Sequence, residues 1–271
     1  MNPSTTLPVG TQLRAWRQRR HLSQLDLSVD AEVSTRHLSF VETGRAMPSR
    51  EMVLRLANRL EVPLRERNRL LTAAGYAPMY AERPLSDPAL QAARDAVELV
   101  LKGHEPYPAL AVDRHWNLVS HNRALAPLLQ SVSPELLKPP VNVLRLGLHP
   151  DGLAPRIVNL GQWRAHLLAR LRQQVAVSAD ATLAALADEL RAYPAPGESH
   201  ADVGEAAVVV PLQLATPAGT LSFISTTTVF GTPVDITLSE LALETFFPAD
   251  AATAALLRAT LPRAEPMAPA P

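Results

Sequence analysis

The 271-residue sequence contains no cysteine. That absence removes disulfides, thiolate nucleophiles, iron–sulfur clusters and cysteine zinc sites, and it suits a reducing compartment. Aromatic residues make up only 4%, and lysine is missing altogether from the first 80 residues. No stretch approaches the ~20 apolar residues that span a bilayer. The opening MNPSTTLPVGTQLRAWRQRR lacks the apolar core of a secretory signal. Neither export nor membrane insertion is expected, and the cytoplasm is the expected location. Walker loops, GxSxG, HExxH and GxGxxG motifs are all absent, and the helix-forming segments hold no His pair at i, i+4. The chain is therefore not expected to be an enzyme or to need a metal or cofactor. What is present, 47% hydrophobic and 19% charged residues, suffices for one large domain or two ordinary ones.

The formal net charge of zero conceals a division. Residues 1–80 carry 12 Arg against 7 acidic residues, a balance of +5, and residues 81–271 carry 14 basic against 19 acidic, a balance of −5. Such asymmetry points to a polyanion-binding module joined to a regulatory or assembly module.

The first 75 residues read as five short helices. Ser23, Ser34 and Ser49 stand as N-caps, and Gly44 and Gly75 as C-terminal stops. Met52, Val53, Leu56, Ala57 and Leu60 share one helix face. A proline-rich hinge over residues 78–106 follows, holding one amphipathic helix from about 88 to 102. Beyond it, residues 107–261 show a short hairpin at 109–120, a helical middle, and β-rich runs at 208–214 and 221–230 joined by Pro217-Ala218-Gly219. Thr237 and Glu240 form a capping-box signature for a further helix, and Asp250 begins another. Residues 262–271, rich in proline and alanine, read as a disordered tail. The order of elements predicts an α+β domain with helices on one face of an antiparallel sheet.

The strongest signal lies between Gln24 and Arg45. Leu25, Leu27, Leu38 and Val41 can form a core between two helices joined by Ala31-Glu32-Val33. Thr35, Arg36, Ser39 and Phe40 then face outward on the second, as a recognition helix requires. Arg36 suits a bidentate pair to guanine, or an ion pair with Asp30 or Glu32; Phe40 suits a thymine methyl, or a neighbouring helix. Ser34, Ser39 and Arg45 suit backbone positioning. Arg14, Arg17, Arg19 and Arg20 read as a solvated helix face.

LSQLDLSVDAEVSTRHLSFVETGRAMPS, within residues 7–75, resembles the phage-repressor (Cro-like, XRE) helix-turn-helix family. The resemblance implies that residues 1–77 form an all-α DNA-binding domain. It also implies that Gln24 donates to a phosphate while Thr35, Arg36 and Phe40 address bases. Glu32 departs from that pattern: the family usually has glycine there, a left-handed turn is costly for glutamate, and a distorted turn is expected.

The remainder offers an apolar interior with a few polar groups. In LSFISTTTVF, Leu221, Phe223 and Ser225 alternate with Ser222, Ile224 and Thr226. Trp116, Leu125, Leu129, Leu144, Leu148, Ile157, Trp163 and Leu167 lie in elements able to pack over the first set, either as a filled core or as the wall of a pocket. His104, His115, His121 and His149 fall on loops and strand ends as structural or surface histidines.

YPALAVDRHWNLVSHNRALAPLL, NVLRLGLHPDGLAP and GQWRAHLLARLRQQ, taken with the N-terminal segment, resemble the MmyB-like regulators over nearly the whole chain to about residue 261. The resemblance implies a multi-domain protein whose C-terminal domain is PAS-like and binds a small apolar ligand, with a fatty acid or similar molecule as the expected occupant. A carboxylate would then meet Arg145, His121 or Arg156, although each of these also suits a surface ion pair. The expected partners are operator DNA, an apolar ligand and a second copy of the chain. A DNA-binding regulator whose acidic domain recruits another protein without a ligand is the competing reading.

Overall fold

A computed structural model describes residues 7–194 and 209–260. They fall into two compact units: Met1–Arg83 with Ala176–Ala179 and Pro233–Ser239, and Pro84–Val175 with Asp180–Thr232 and Glu240–Pro271. The tail expected from residue 262, the first residue of the 208–214 run and most of the loop after Tyr193 lie outside the described residues.

The N-terminal part of the first unit is helical, with α1 (Val9–Arg19), α2 (Gln24–Asp30), α3 (Thr35–Glu42), α4 (Arg50–Arg59) and α5 (Leu64–Ala73). Each expected serine cap is made. The Ser23 hydroxyl accepts from the Asp26 amide while Asp26 accepts from the Ser23 amide, and Ser34 and Ser49 accept from His37 and Met52. These bonds satisfy amides that a helix start leaves without partners. Gly44 and Gly75 take the left-handed backbone that ends α3 and α5 (φ +74 and +82). Leu13, Leu27, Leu38, Leu56, Leu60 and Leu70 are fully buried between the helices. A Cβ on Gly10 would stand 2.0 Å from the Val41 carbonyl oxygen, so glycine is what lets α1 approach α3.

Two expectations for this unit are corrected. Leu25 is 62% exposed, because at about 100° per residue it points roughly 200° away from Leu27, which takes the interior place. Arg17 is no solvated residue: its guanidinium makes a buried, bidentate pair with Glu42 at 2.7 and 2.8 Å and donates to the Leu22 carbonyl. Glu32 does adopt the left-handed conformation, with φ 54. The turn after α2 closes around it, with its amide donating to Val29 and that of Val33 to Ser28.

The second unit contains α6 (Gln91–Gly103), β1 (Ala109–Val112), β2 (Leu118–His121), α7 (Val143–Leu148), most of α8 (Leu160–Ser178), α9 (Ala181–Ala192), β3 (Leu212–Thr216) and β4 (Gly219–Val229). After the single turn α10 (Ile236–Ser239) come β5 (Ala242–Pro248) and α11 (Ala251–Thr260). The strands form one curled antiparallel sheet in the order β2-β1-β5-β4-β3, a PAS-like arrangement. The chain is thus a helical helix-turn-helix region followed by an α+β PAS-like domain.

Strand β5 pairs with β1 and β4 at the centre of the sheet, where the Thr237/Glu240 signature had pointed to a helix. The Thr237 hydroxyl donates to the Arg83 carbonyl instead of capping a long helix. The β-branched and aromatic run Thr245-Phe246-Phe247 suits a pleated surface. Alternation along β1 buries both faces: Leu110 and Val112 join the core under α8 and α9, while Ala109 and Ala111 pack with Val97 and Leu101 of α6. Helices therefore cover both faces here rather than one, and α6, read as part of the hinge, belongs to the second unit.

Candidate functional site

Two features concentrate exposed or enclosed chemistry. The first is the outer face of α3. Arg36, His37 and Arg45 are exposed, and Ser39 and Phe40 are half-buried. The Arg36 guanidinium lies 5.4 Å from the Phe40 ring centroid, a cation–π contact that holds both side chains on one outward face. Among the described residues, neither Asp30 nor Glu32 pairs with Arg36. Thr35 is joined to the Ser28 hydroxyl at 2.8 Å, tying the start of α3 to α2, and the Ser34 hydroxyl is engaged as the cap. The Gln24 amide donates to Glu42 at 2.8 Å, so one of its two protons supports the α1–α3 pair. Burial pushes the Glu42 carboxyl up, but the hydrogen bonds from Arg17 and Gln24 outweigh it and hold Glu42 below the usual carboxylate range. The face is a rigid scaffold carrying donors.

The second feature is a cavity of about 100 Å³ in the second unit. Trp116, Leu125, Leu129, Leu144, Trp163, Leu167, Phe223 and Ser225, all expected at a pocket, line it. An engineered apolar cavity of about 150 Å³ takes a benzene, so the space present suits a compact molecule. A longer chain requires the leucine walls to part.

The other expected pocket residues lie elsewhere. Arg145 is paired with Glu189 at 2.7 Å, and the Tyr193 hydroxyl donates to the same carboxylate. Burial and Glu189 push Tyr193 up to about 12. His121 is exposed at a strand end with Nδ1 2.9 Å from the Asn122 carbonyl, and Arg156 donates to the Leu128 and Ala215 carbonyls and the Ser131 hydroxyl. Leu148 and Ile157 are buried in the same core without facing the cavity. The Asp113 carboxylate accepts from the His115 and Asn117 amides and from the Asn117 side chain.

The charged groups on the cavity wall, Arg170 and Glu244, were not foreseen. Arg170 grips Glu244 through two nitrogens, at 2.5 and 3.1 Å, and donates to Thr227 at 2.6 Å; Thr227 donates in turn to Glu244 at 2.8 Å. The Arg170 guanidinium lies over the Trp116 ring, and the Trp116 indole donates to Gln174. Burial, then the Arg170 charge, push the nearby His166 imidazole below its ordinary value. One signal could have found Arg170: Trp163, Leu167, Arg170 and Gln174 recur at i, i+4, i+7 and i+11, two polar groups on an otherwise apolar helix stripe. Glu244 was hidden because its strand was not recognised.

Residues 93–259 match the family model described as MmyB-like transcription regulator ligand binding domain, and residues 8–70 match one described as a helix-turn-helix domain. No curated protein matches the chain. Among the described residues no helix is long and apolar enough to cross a membrane.

Proposed function

The chain belongs to the MmyB-like transcription regulators, and from that premise we propose that it is a cytoplasmic, non-enzymatic regulator whose operator affinity depends on a small apolar ligand in the PAS-like domain. The DNA-binding regulator with a sensor domain follows from the two matched domains. The finer reading assigns Arg36 to a guanine edge, Thr35 and Phe40 to neighbouring bases, and Gln24, Ser34, Ser39 and Arg45 to the backbone. A symmetric dimer on half-sites ~34 Å apart supplies enough contacts for specificity.

The observation that carries the ligand reading is the cavity: aromatic and leucine side chains surround a space with few polar groups, which favours an apolar occupant. Coupling needs an element that feels the occupant and touches the reader. Strands β4 and β5 bring Phe223, Ser225, Glu244 and Phe246 to the cavity, and the segment joining these strands, Pro233–Ser239, groups with the helical unit. There the buried Asp235 accepts from Arg83 at 2.9 Å, and the Ile236 amide donates to the Ala81 carbonyl. A shift of β4 against β5 would therefore pull on the end of the DNA-binding unit.

The test is to denature protein purified from cells and seek released lipid or other apolar molecules by mass spectrometry, alongside thermal shifts with apolar probes. A released molecule or a saturable shift supports the sensor. Neither, together with capture of a specific partner protein, favours a recruiting domain without a ligand.

A further inference from the structure

The cavity wall holds a cation, and that cation is already matched. Arg170 spends two nitrogens on Glu244 and one bond on Thr227, while the Glu244 side chain is only 5% exposed. A carboxylate entering the cavity meets one of two costs. It adds a negative charge to a largely apolar site whose own charges cancel, or it takes Arg170 from Glu244 and leaves that carboxylate buried without its partner. Both carry a cost against an apolar wall. The neighbouring imidazole does not help, because burial and Arg170 hold His166 below its ordinary value and disfavour its charged form.

Ser225 offers a different contact. It lines the cavity, is half-buried, and among the described residues its hydroxyl bonds to no other protein group. A hydroxyl both donates and accepts, and Arg170 keeps donor capacity beyond its three bonds. We propose that the cavity selects a compact apolar ligand with a neutral hydrogen-bonding head, such as an alcohol or primary amide, held by Ser225 beside the intact Arg170–Glu244 pair, and that it discriminates against a carboxylate. The proposal rests on the sensor reading above and narrows its apolar ligand to one with a neutral head, which sets aside the fatty acid expected from the sequence. Glu244 is then a specificity residue: it neutralises the one cation that would otherwise attract an acid.

The experiment compares hexan-1-ol, hexanamide and hexanoate near neutral pH on the full chain. It is read by quenching of tryptophan fluorescence, since Trp116 and Trp163 line the cavity, and by thermal shift. The unaltered protein should bind the alcohol and amide at least about tenfold more tightly than hexanoate. Glu244→Gln should strengthen hexanoate at least about tenfold relative to the alcohol. Should that variant not fold, Arg170→Gln/Glu244→Gln, which removes both charges, should keep the alcohol and still reject hexanoate. Tighter or equal binding of hexanoate by the unaltered protein overturns the neutral-head proposal and leaves the sensor reading standing. No binding of any probe by either form overturns both.

Discussion

The guanidinium of Arg170 lies 4.5 Å from the centroid of the Trp116 ring. Trp116 reaches that place from a left-handed backbone conformation, φ 67, which is unusual for a bulky side chain. The turn that imposes it is organised by Asp113, whose carboxylate accepts from two backbone amides and one side-chain amide while its own amide donates to the Asn117 carbonyl. A strained aromatic in a cavity wall is thus tied to a carboxylate in the β1–β2 turn.

Asp113→Ala should lower the stability of the second unit by about 1–3 kcal/mol, because amides that had an acceptor lose it. Asp113→Asn, which keeps one oxygen, should cost less. Thermal unfolding followed by tryptophan emission measures the difference. Equal stability of the alanine variant and the parent would remove Asp113 from this role.

The Arg17–Glu42 pair gives an acid limb with a defined sign. The folded Glu42 carboxyl lies below its ordinary value of 4.5, so its contribution is fully present above about that pH. It is lost as pH falls through the lower folded value. Glu42→Gln should flatten this part of the stability profile. Arg17→Leu, which leaves Glu42 buried without its partner, should destabilise by about 3–5 kcal/mol at neutral pH. Chemical denaturation across pH 3 to 7 reads both effects, and an unchanged acid limb in Glu42→Gln would contradict them.

On DNA, Arg36→Ala should relax preference at one base step, by about 1–3 kcal/mol. Gln24→Ala should weaken binding on all sequences alike. A modest loss of stability should accompany it, because Gln24 also donates to Glu42. Competition binding against single-base operator variants separates the two. Equal loss on operator and random DNA from Arg36→Ala would sink the base contact.

Asp235 is nearly fully buried and accepts from Arg83 and from the Thr237 amide. Asp235→Ala should preserve probe binding in the cavity and weaken the effect of that probe on operator affinity. Parallel titrations of probe and operator measure both. Undiminished coupling would place the connection elsewhere.

The helical reader was legible because its signals are local: each serine cap and glycine stop acts within four residues, and the period of the leucines marks the buried face, with Leu25 the exception. The turn after α2 is expected to be distorted because of Glu32, yet Glu32 takes the left-handed conformation and the turn keeps its hydrogen bonds. Strand β5 was not legible, since its position at the centre of the sheet comes from pairing with β1 and β4, segments that lie far from it along the chain. With β5 went Glu244. The apolar cavity residues were found by pattern, but which arginine faces them depends on helix rotation in the packed domain. Arg145 and Arg156 have partners elsewhere, and Arg170 occupies the wall.

The most direct test of a reader governed by a sensor is operator affinity, on a site selected from random DNA, with and without a saturating alcohol or amide probe in the cavity. The expected result is a change in Kd of at least about fivefold, matched by the same factor in probe affinity when operator is present, since coupling between two binding sites is reciprocal. An operator Kd that stays the same while the cavity is demonstrably filled would contradict it.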